Sequence, residues 1–76
     1  MASAFIMIKT VAGKSDQLLA DVREADGITE AHIVAGQYDI IAEATGPGVY
    51  EVMQSVSTRV RDLAGVADTR TYICLE

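Results

Sequence analysis

The stretch Ile28-Thr-Glu-Ala-His-Ile-Val-Ala-Gly-Gln-Tyr-Asp-Ile-Ile-Ala-Glu-Ala-Thr45 decides the fold. Its first eight residues alternate, with Thr29, Ala31, Ile33 and Ala35 on one side and Ile28, Glu30, His32 and Val34 on the other, as a half-buried strand requires. Gly36-Gln37 breaks the run at a tight turn, and Tyr38 to Thr45 resumes it as a second strand, so the segment predicts an antiparallel hairpin. A hairpin in mid-chain with helical patterns on either side sets the order of everything else.

N-terminal to the hairpin, Ser15 offers a hydroxyl at a helix start and Asp16 sits in the first turn. Leu18, Leu19, Val22 and Ala25 follow at helical spacing, and Gly27 closes the helix. Before it, Ala4-Phe-Ile-Met-Ile8 is a strand apolar on both faces: Phe5 and Met7 point one way, Ala4, Ile6 and Ile8 the other. C-terminal to the hairpin, Gly46-Pro47-Gly48 interrupts the chain. Val49, Val52, Met53, Val56, Val60 and Leu63 then trace the stripe of a longer helix, with Glu51, Gln54, Ser57, Arg59, Arg61 and Asp62 assigned to its solvated side. Gly65 ends that helix, and Val66 to Leu75 alternates as a last strand. The order β-α-β-β-α-β predicts an α+β, ferredoxin-like sandwich: a four-stranded antiparallel sheet with two helices on one face, residues 1–76 forming a single domain.

Two helices cover one face of such a sheet, yet the first strand is apolar on both. Half of the 76 residues are apolar, but a chain this short buries only about 60% of the surface its unfolded form exposes. A covering partner is therefore expected, and a second copy about a two-fold axis is the simplest one. Cys74, the single cysteine, forms no internal disulfide, and His32, the single histidine, has no neighbours at metal-ligand spacing. No metal and no cofactor are expected. Eleven Asp and Glu against six Lys and Arg leave a net charge of −5, which opposes binding to a phosphate backbone. The first positive charge, Lys9, follows the short apolar run instead of preceding it, so no secretory leader is read. No apolar stretch approaches the ~18 residues of a membrane span. The expected setting is cytoplasmic.

Gly36-Gln37-Tyr38-Asp39-Ile40-Ile41 directly after a strand, with Gly65-Val66-Ala67-Asp68-Thr69-Arg70-Thr71 some thirty residues on, resembles the G-x-Y-D and G-V-x-x-T-x-T segments of the Lrp/AsnC effector-binding domain, the RAM domain. The likeness spans essentially the whole chain, in the stand-alone form without a helix-turn-helix domain ahead of it. The resemblance implies a sheet-to-sheet dimer of the dimeric α/β-barrel type, assembling into octamers or decamers. It also implies an amino acid or related metabolite bound between dimers, with Gly36, Tyr38, Asp39, Thr69 and Thr71 as the effector-binding residues. A full-length Lrp/AsnC regulator is a further partner it implies, which would make the chain a modulator of transcription that does not itself touch DNA.

Each of these residues also has a plain structural reading. Asp39 suits an ammonium group, and equally the backbone donors of its own turn. Gly36 is read as taking a conformation closed to other residues and as leaving room for a ligand. Tyr38 is an aromatic at a strand start. Thr69 and Thr71 share a strand face, where paired hydroxyls can hold a carboxylate or an amino group, while Arg70 faces the other way. Met7 and Met53 are placed in the core, and Cys74 is read as a buried small hydrophobe. No catalytic residue is assigned. The competing readings are a small dimeric α/β-barrel enzyme of the cofactor-free monooxygenase or isomerase type, for which His32 is the only histidine, and an ACT-like regulatory domain.

Overall fold

In a computed structural model of the chain, which describes residues 1–75, four strands and two helical segments follow the expected order. We label them β1 (Ala2–Thr10), α1 (Ser15–Glu24), β2 (Ile28–Ile33), β3 (Ile40–Gly46), α2 (residues 49–61) and β4 (Val66–Ile73). The sheet is antiparallel throughout, in the order β2-β3-β1-β4. The first strand of the chain is thus central, beside β3, and β2 and β4 are the edges.

The alternation of β1 works as predicted. Ala4, Ile6 and Ile8 are fully buried beneath the helices, where they meet Leu18 and Val22 of α1, Val52, Val56 and Val60 of α2, and Ile40, Ala42 and Ala44 of β3. Phe5 and Met7 point to the opposite face, and Phe5 is 42% exposed there. Fully burying a side chain of this size is worth ~1.5–3 kcal/mol, so this one layer carries most of the folding energy.

Four local readings are corrected. First, the β2–β3 register slips between Ile28 and Glu30. The extra residue at this bulge reverses the alternation, so Ile28 packs toward the core beside Ala31 rather than sharing a face with Glu30 and His32. Second, the turn is not two residues long. Residues 34–39 form a six-residue loop, closed by Val34 N–H donating to Asp39 O at 2.8 Å. Tyr38 and Asp39 belong to it, and β3 starts at Ile40. Third, α2 contains a π turn over Val52–Val56, with Ser57 N–H donating to Val52 O. This widening keeps Val52, Val56 and Val60 on the core side at a spacing of four, rotates Ser57 into the interior at 3% exposure, and leaves Met53 exposed rather than in the core. Fourth, Ser15 is the first residue of α1 and does not cap it; its hydroxyl lies 3.0 Å from that of Thr10. Cys74 is half-buried beyond the end of β4, its N–H donating to Ser3 O.

The edge strand β2 is guarded. Arg23 of α1 reaches around it, and its Nε and Nη2 donate to Ala31 O at 3.1 and 2.8 Å. A fork on one carbonyl occupies an acceptor that an incoming strand would need.

The glycines on either side of β2, Gly27 before it and Gly36 in the loop after it, differ in what they tolerate. Gly27 has φ +92°, and a Cβ there would stand 2.6 Å from Val56 Cγ2 and 3.2 Å from Thr45 O. Gly36 lies outside the left-handed region and a Cβ would meet nothing within 4 Å, which corrects the expectation that its backbone requires glycine. Gly27→Ala is therefore expected to lose ~1–3 kcal/mol of stability, while Gly36→Ala stays within about 0.5 kcal/mol of the parent. Urea denaturation of the two variants checks the contrast; equal losses would show that the hairpin loop is strained.

Candidate functional site

The loop between β2 and β3 is tied to the end of β1 at three further points. Asp39 N–H donates to Ile8 O at 2.9 Å, Thr10 N–H donates to Asp39 Oδ2 at 2.8 Å, and Lys9 Nζ donates to Gln37 O at 3.0 Å. The Thr10 hydroxyl gives Asp39 Oδ2 a second bond at 3.1 Å and lies 3.0 Å from Ser15 Oγ. Asp39 is thus the node of a chain of bonds running from the loop through β1 to the first turn of α1. Its carboxyl is held below the ordinary 3.8, first by the Thr10 backbone N–H, then by the Thr10 hydroxyl, with Lys9 adding a smaller pull against a small desolvation effect. Both bonds fall on Oδ2. Among the described residues Oδ1 carries none, so the carboxylate retains an acceptor for another donor.

The sheet divides the remaining four residues. Gly36 and Tyr38 line a shallow cleft of about 420 Å³ on the open face, together with Met7, Val34, Ile41 and Tyr72. Thr69 and Thr71 stand half-buried on the helix side of β4, as their spacing predicts. Thr71 Oγ1 lies 3.1 Å from Ser57 Oγ, and Thr69 is in register with Ile8. Arg70 and Tyr72 point to the open face, on the same side as Phe5 and Met7, their cross-strand partners. Within one chain the five residues do not converge on one cavity. The Ser57 hydroxyl and the Lys9, Thr10 and Ser15 side chains join them unannounced. Ser57 was hidden by a π turn that no spacing reveals, whereas Lys9-Thr10 at a strand end and Ser15 at a helix start were visible as polar residues at junctions.

His32 is exposed on the open face, its Nε2 3.5 Å from Glu30 Oε1. The space between sheet and helices, where an enzyme of this fold would hold its substrate, is filled with aliphatic side chains. Among the described residues no group of three His, Cys, Asp or Glu stands where it could hold a metal ion.

This architecture, a β-α-β-β-α-β sandwich with one bare sheet face and a G-x-Y-D loop clasped to its central strand, is that of a small ferredoxin-like domain. A family model described as the Lrp/AsnC ligand binding domain matches residues 3–76, and the chain belongs to that family. The leucine-responsive regulatory protein of Haemophilus influenzae is 31% identical over 74 residues, covering 93% of this chain and 45% of its own length. An uncharacterized HTH-type transcriptional regulator of Pyrococcus furiosus is 30% identical, over 93% of this chain and 49% of its own. The chain thus spans about half the length of the curated relatives it matches. Among solved structures, FFRP-DM1 superposes with a TM-score of 0.90 at 27% identity, covering 99% of this chain and 100% of that one. Escherichia coli AsnC shares the fold, with a TM-score of 0.87 at 22% identity over 99% of this chain and 51% of that one.

The clasp gives a pH signature. A depressed carboxyl contributes stability that is present above its unfolded value and is lost as pH falls through the folded one. Asp39→Ala is therefore expected to melt at a lower temperature than the parent at pH 7, and the gap should close as the pH is taken below about 4. Thermal unfolding followed from about pH 2.5 to about pH 7, a range that brackets ordinary carboxyl titration, checks this; a gap that persists undiminished in acid would mean the carboxylate is not what holds Thr10.

Proposed function

We propose that the chain is a non-enzymatic effector-binding and assembly module. An amino acid or related small metabolite binds at contacts between sheet-paired dimers and shifts the assembly equilibrium by favouring one state, dimers collecting into octamers or decamers. The observation that carries the reading is the family match across nearly the whole chain. The name of the Haemophilus relative, a leucine-responsive regulator, supports an aliphatic amino acid as the first compound to try. Gly36, Tyr38, Asp39, Thr69 and Thr71 are the effector-binding residues in this proposal. The free oxygen of Asp39 suits an ammonium, the hydroxyls of Thr69 and Thr71 suit a carboxylate, and Tyr38 offers a ring to the side chain.

Co-assembly with a full-length Lrp/AsnC regulator would let the module act on transcription with no DNA contact of its own, in keeping with its net charge of −5. No helix among the described residues is long and apolar enough to cross a membrane. The enzyme reading is less favoured, because the layer that would hold a substrate is packed with Ile, Leu and Val and the one histidine stands outside it.

Differential scanning fluorimetry and native mass measurement with each of the twenty amino acids test the proposal. A true effector at 100 times its dissociation constant stabilises the folded state by about 2.7 kcal/mol, and a change in oligomer mass should accompany it. The ligand-induced increment, measured within each variant, should vanish in Asp39→Ala and fall in Tyr38→Ala. Increments of equal size in parent and variants would put the site elsewhere.

A further inference from the structure

The β2–β3 loop closes without any hydroxyl. Val34 N–H donates to Asp39 O, Asp39 N–H to Ile8 O, and Lys9 Nζ to Gln37 O. Yet two hydroxyls stand in line behind the Asp39 carboxylate, Thr10 Oγ1 at 3.1 Å from Oδ2 and Ser15 Oγ at 3.0 Å from Thr10 Oγ1. The direction of both bonds follows from a count of protons. An ionised carboxylate only accepts, so the single Thr10 hydroxyl proton goes to Oδ2. Thr10 Oγ1 then has only lone pairs to offer, and Ser15 is the donor of the second bond. An oxygen that accepts one hydrogen bond donates a stronger one, so Ser15 acts on Asp39 through Thr10 without touching it. The Thr10 N–H fills the other acceptor position of Oδ2 at 2.8 Å. With Oδ2 held twice by one residue of the central strand, the carboxylate is checked in rotation and Oδ1 is the oxygen left to any further donor.

We propose that Ser15 and Thr10 are positioning residues for Asp39: a one-way hydroxyl relay, from Ser15 to Thr10 to Oδ2, holds the carboxylate so that Oδ1 receives an ammonium group. The ammonium part rests on the reading of Asp39 as an effector-binding residue, whereas the relay rests on the bonds alone. Its three members come from the start of α1, the end of β1 and the loop, so the carboxylate is aimed by two elements of the fold and not by its own turn. Lys9 of β1 is the cation that pulls on Asp39. Asp68 of β4 stands in register with Lys9, and Lys14 and Asp16 flank Ser15 on α1. All four charges stay in place when a hydroxyl is removed, so a change seen in a hydroxyl variant reads the relay and not the surrounding field.

Carboxyl-carbon NMR titration of the full chain compares the parent with Thr10→Val and Ser15→Ala, with circular dichroism verifying the fold of each. Valine keeps the branched shape of threonine and the backbone bond to Oδ2, and alanine is well suited to a helix. The Asp39 midpoint is expected to rise part of the way to the ordinary carboxyl value in Thr10→Val and by a smaller step in Ser15→Ala, with Ser15→Thr returning it to that of the parent. A midpoint that Ser15→Ala leaves unmoved overturns the relay, whatever Thr10→Val does. Calorimetric titration of the same variants with L-leucine, and with isocaproate, which is leucine without its ammonium, tests the positioning. Leucine affinity is expected to fall about 5-fold in Thr10→Val and about 2-fold in Ser15→Ala, with no matching loss for isocaproate. Leucine affinity equal in parent and variants, or isocaproate weakened as much as leucine, overturns the role toward the ammonium. A parent that binds neither probe overturns the reading of Asp39 as the acceptor for an aliphatic amino acid, and the titration still decides the relay.

Discussion

Two helices laid side by side can shield one face of a four-stranded sheet and no more, and the chain is organised around that limit. The shielded face is built from small and branched aliphatics, Ala4, Ile6 and Ile8 on the central strand and Ile40, Ala42 and Ala44 beside them, all without solvent contact. Alanine at half of these positions lets the helices approach closely, which suits a core with few residues to fill it. The other face carries the larger apolar groups, Phe5 at 42% and Tyr72 at 59% exposure. One ring on the central strand and one on the edge strand β4 give this bare face larger apolar groups than the shielded one carries.

The same limit gives the sheet's end its importance. With no third layer to hold it, the long β2–β3 loop is secured by polar bonds to β1. Asp39 supplies the acceptor for two of them, so the residue best suited to greet an ammonium is also one that holds the loop in place. The proposed role and the clasp would be compatible, because the Thr10 bonds fall on Oδ2 and leave Oδ1 for an ammonium. Pairing Oδ1 with a cation would withdraw charge from Oδ2, and the bonds to Thr10 would weaken by degrees. Through Thr10 and Ser15 that change reaches the start of α1.

Most of the architecture was legible in the sequence because the burial pattern is periodic where it matters. Phe5 and Met7 alternate with Ala4, Ile6 and Ile8 over one unbroken strand, and nothing in the structure disturbs the count. Where a single residue is inserted, periodicity misleads. The bulge beside Thr29 moves Ile28 to the other face, and the π turn moves Ser57 inward and Met53 outward. An insertion of this kind is stabilised by contacts across the core, and a local pattern contains no trace of them. The loop was misread for a different reason: Val34, Ala35 and Tyr38 are strand-compatible, and the bond from Val34 to Asp39 that closes the loop depends on tertiary placement. Of the candidate site, the shared face of Thr69 and Thr71 could be read from spacing, but that the sheet stands between them and Tyr38 could not.

That separation bears on how binding and assembly are related. Gly36 and Tyr38 open toward the bare face, Thr69 and Thr71 toward the helices, and Asp39 sits at the rim between them. A molecule the size of an amino acid cannot pass through a packed sheet to touch both groups in one chain. If residues of both groups contact the effector, they must come from different subunits. A site completed only by assembly binds the assembled state more tightly than its parts, and by linkage the effector then strengthens assembly by the same factor that assembly strengthens binding. No moving part is needed for such a module to report a metabolite. It would be enough for the proposed site to be divided between copies, because the four-stranded sheet separates its two groups of residues within one chain.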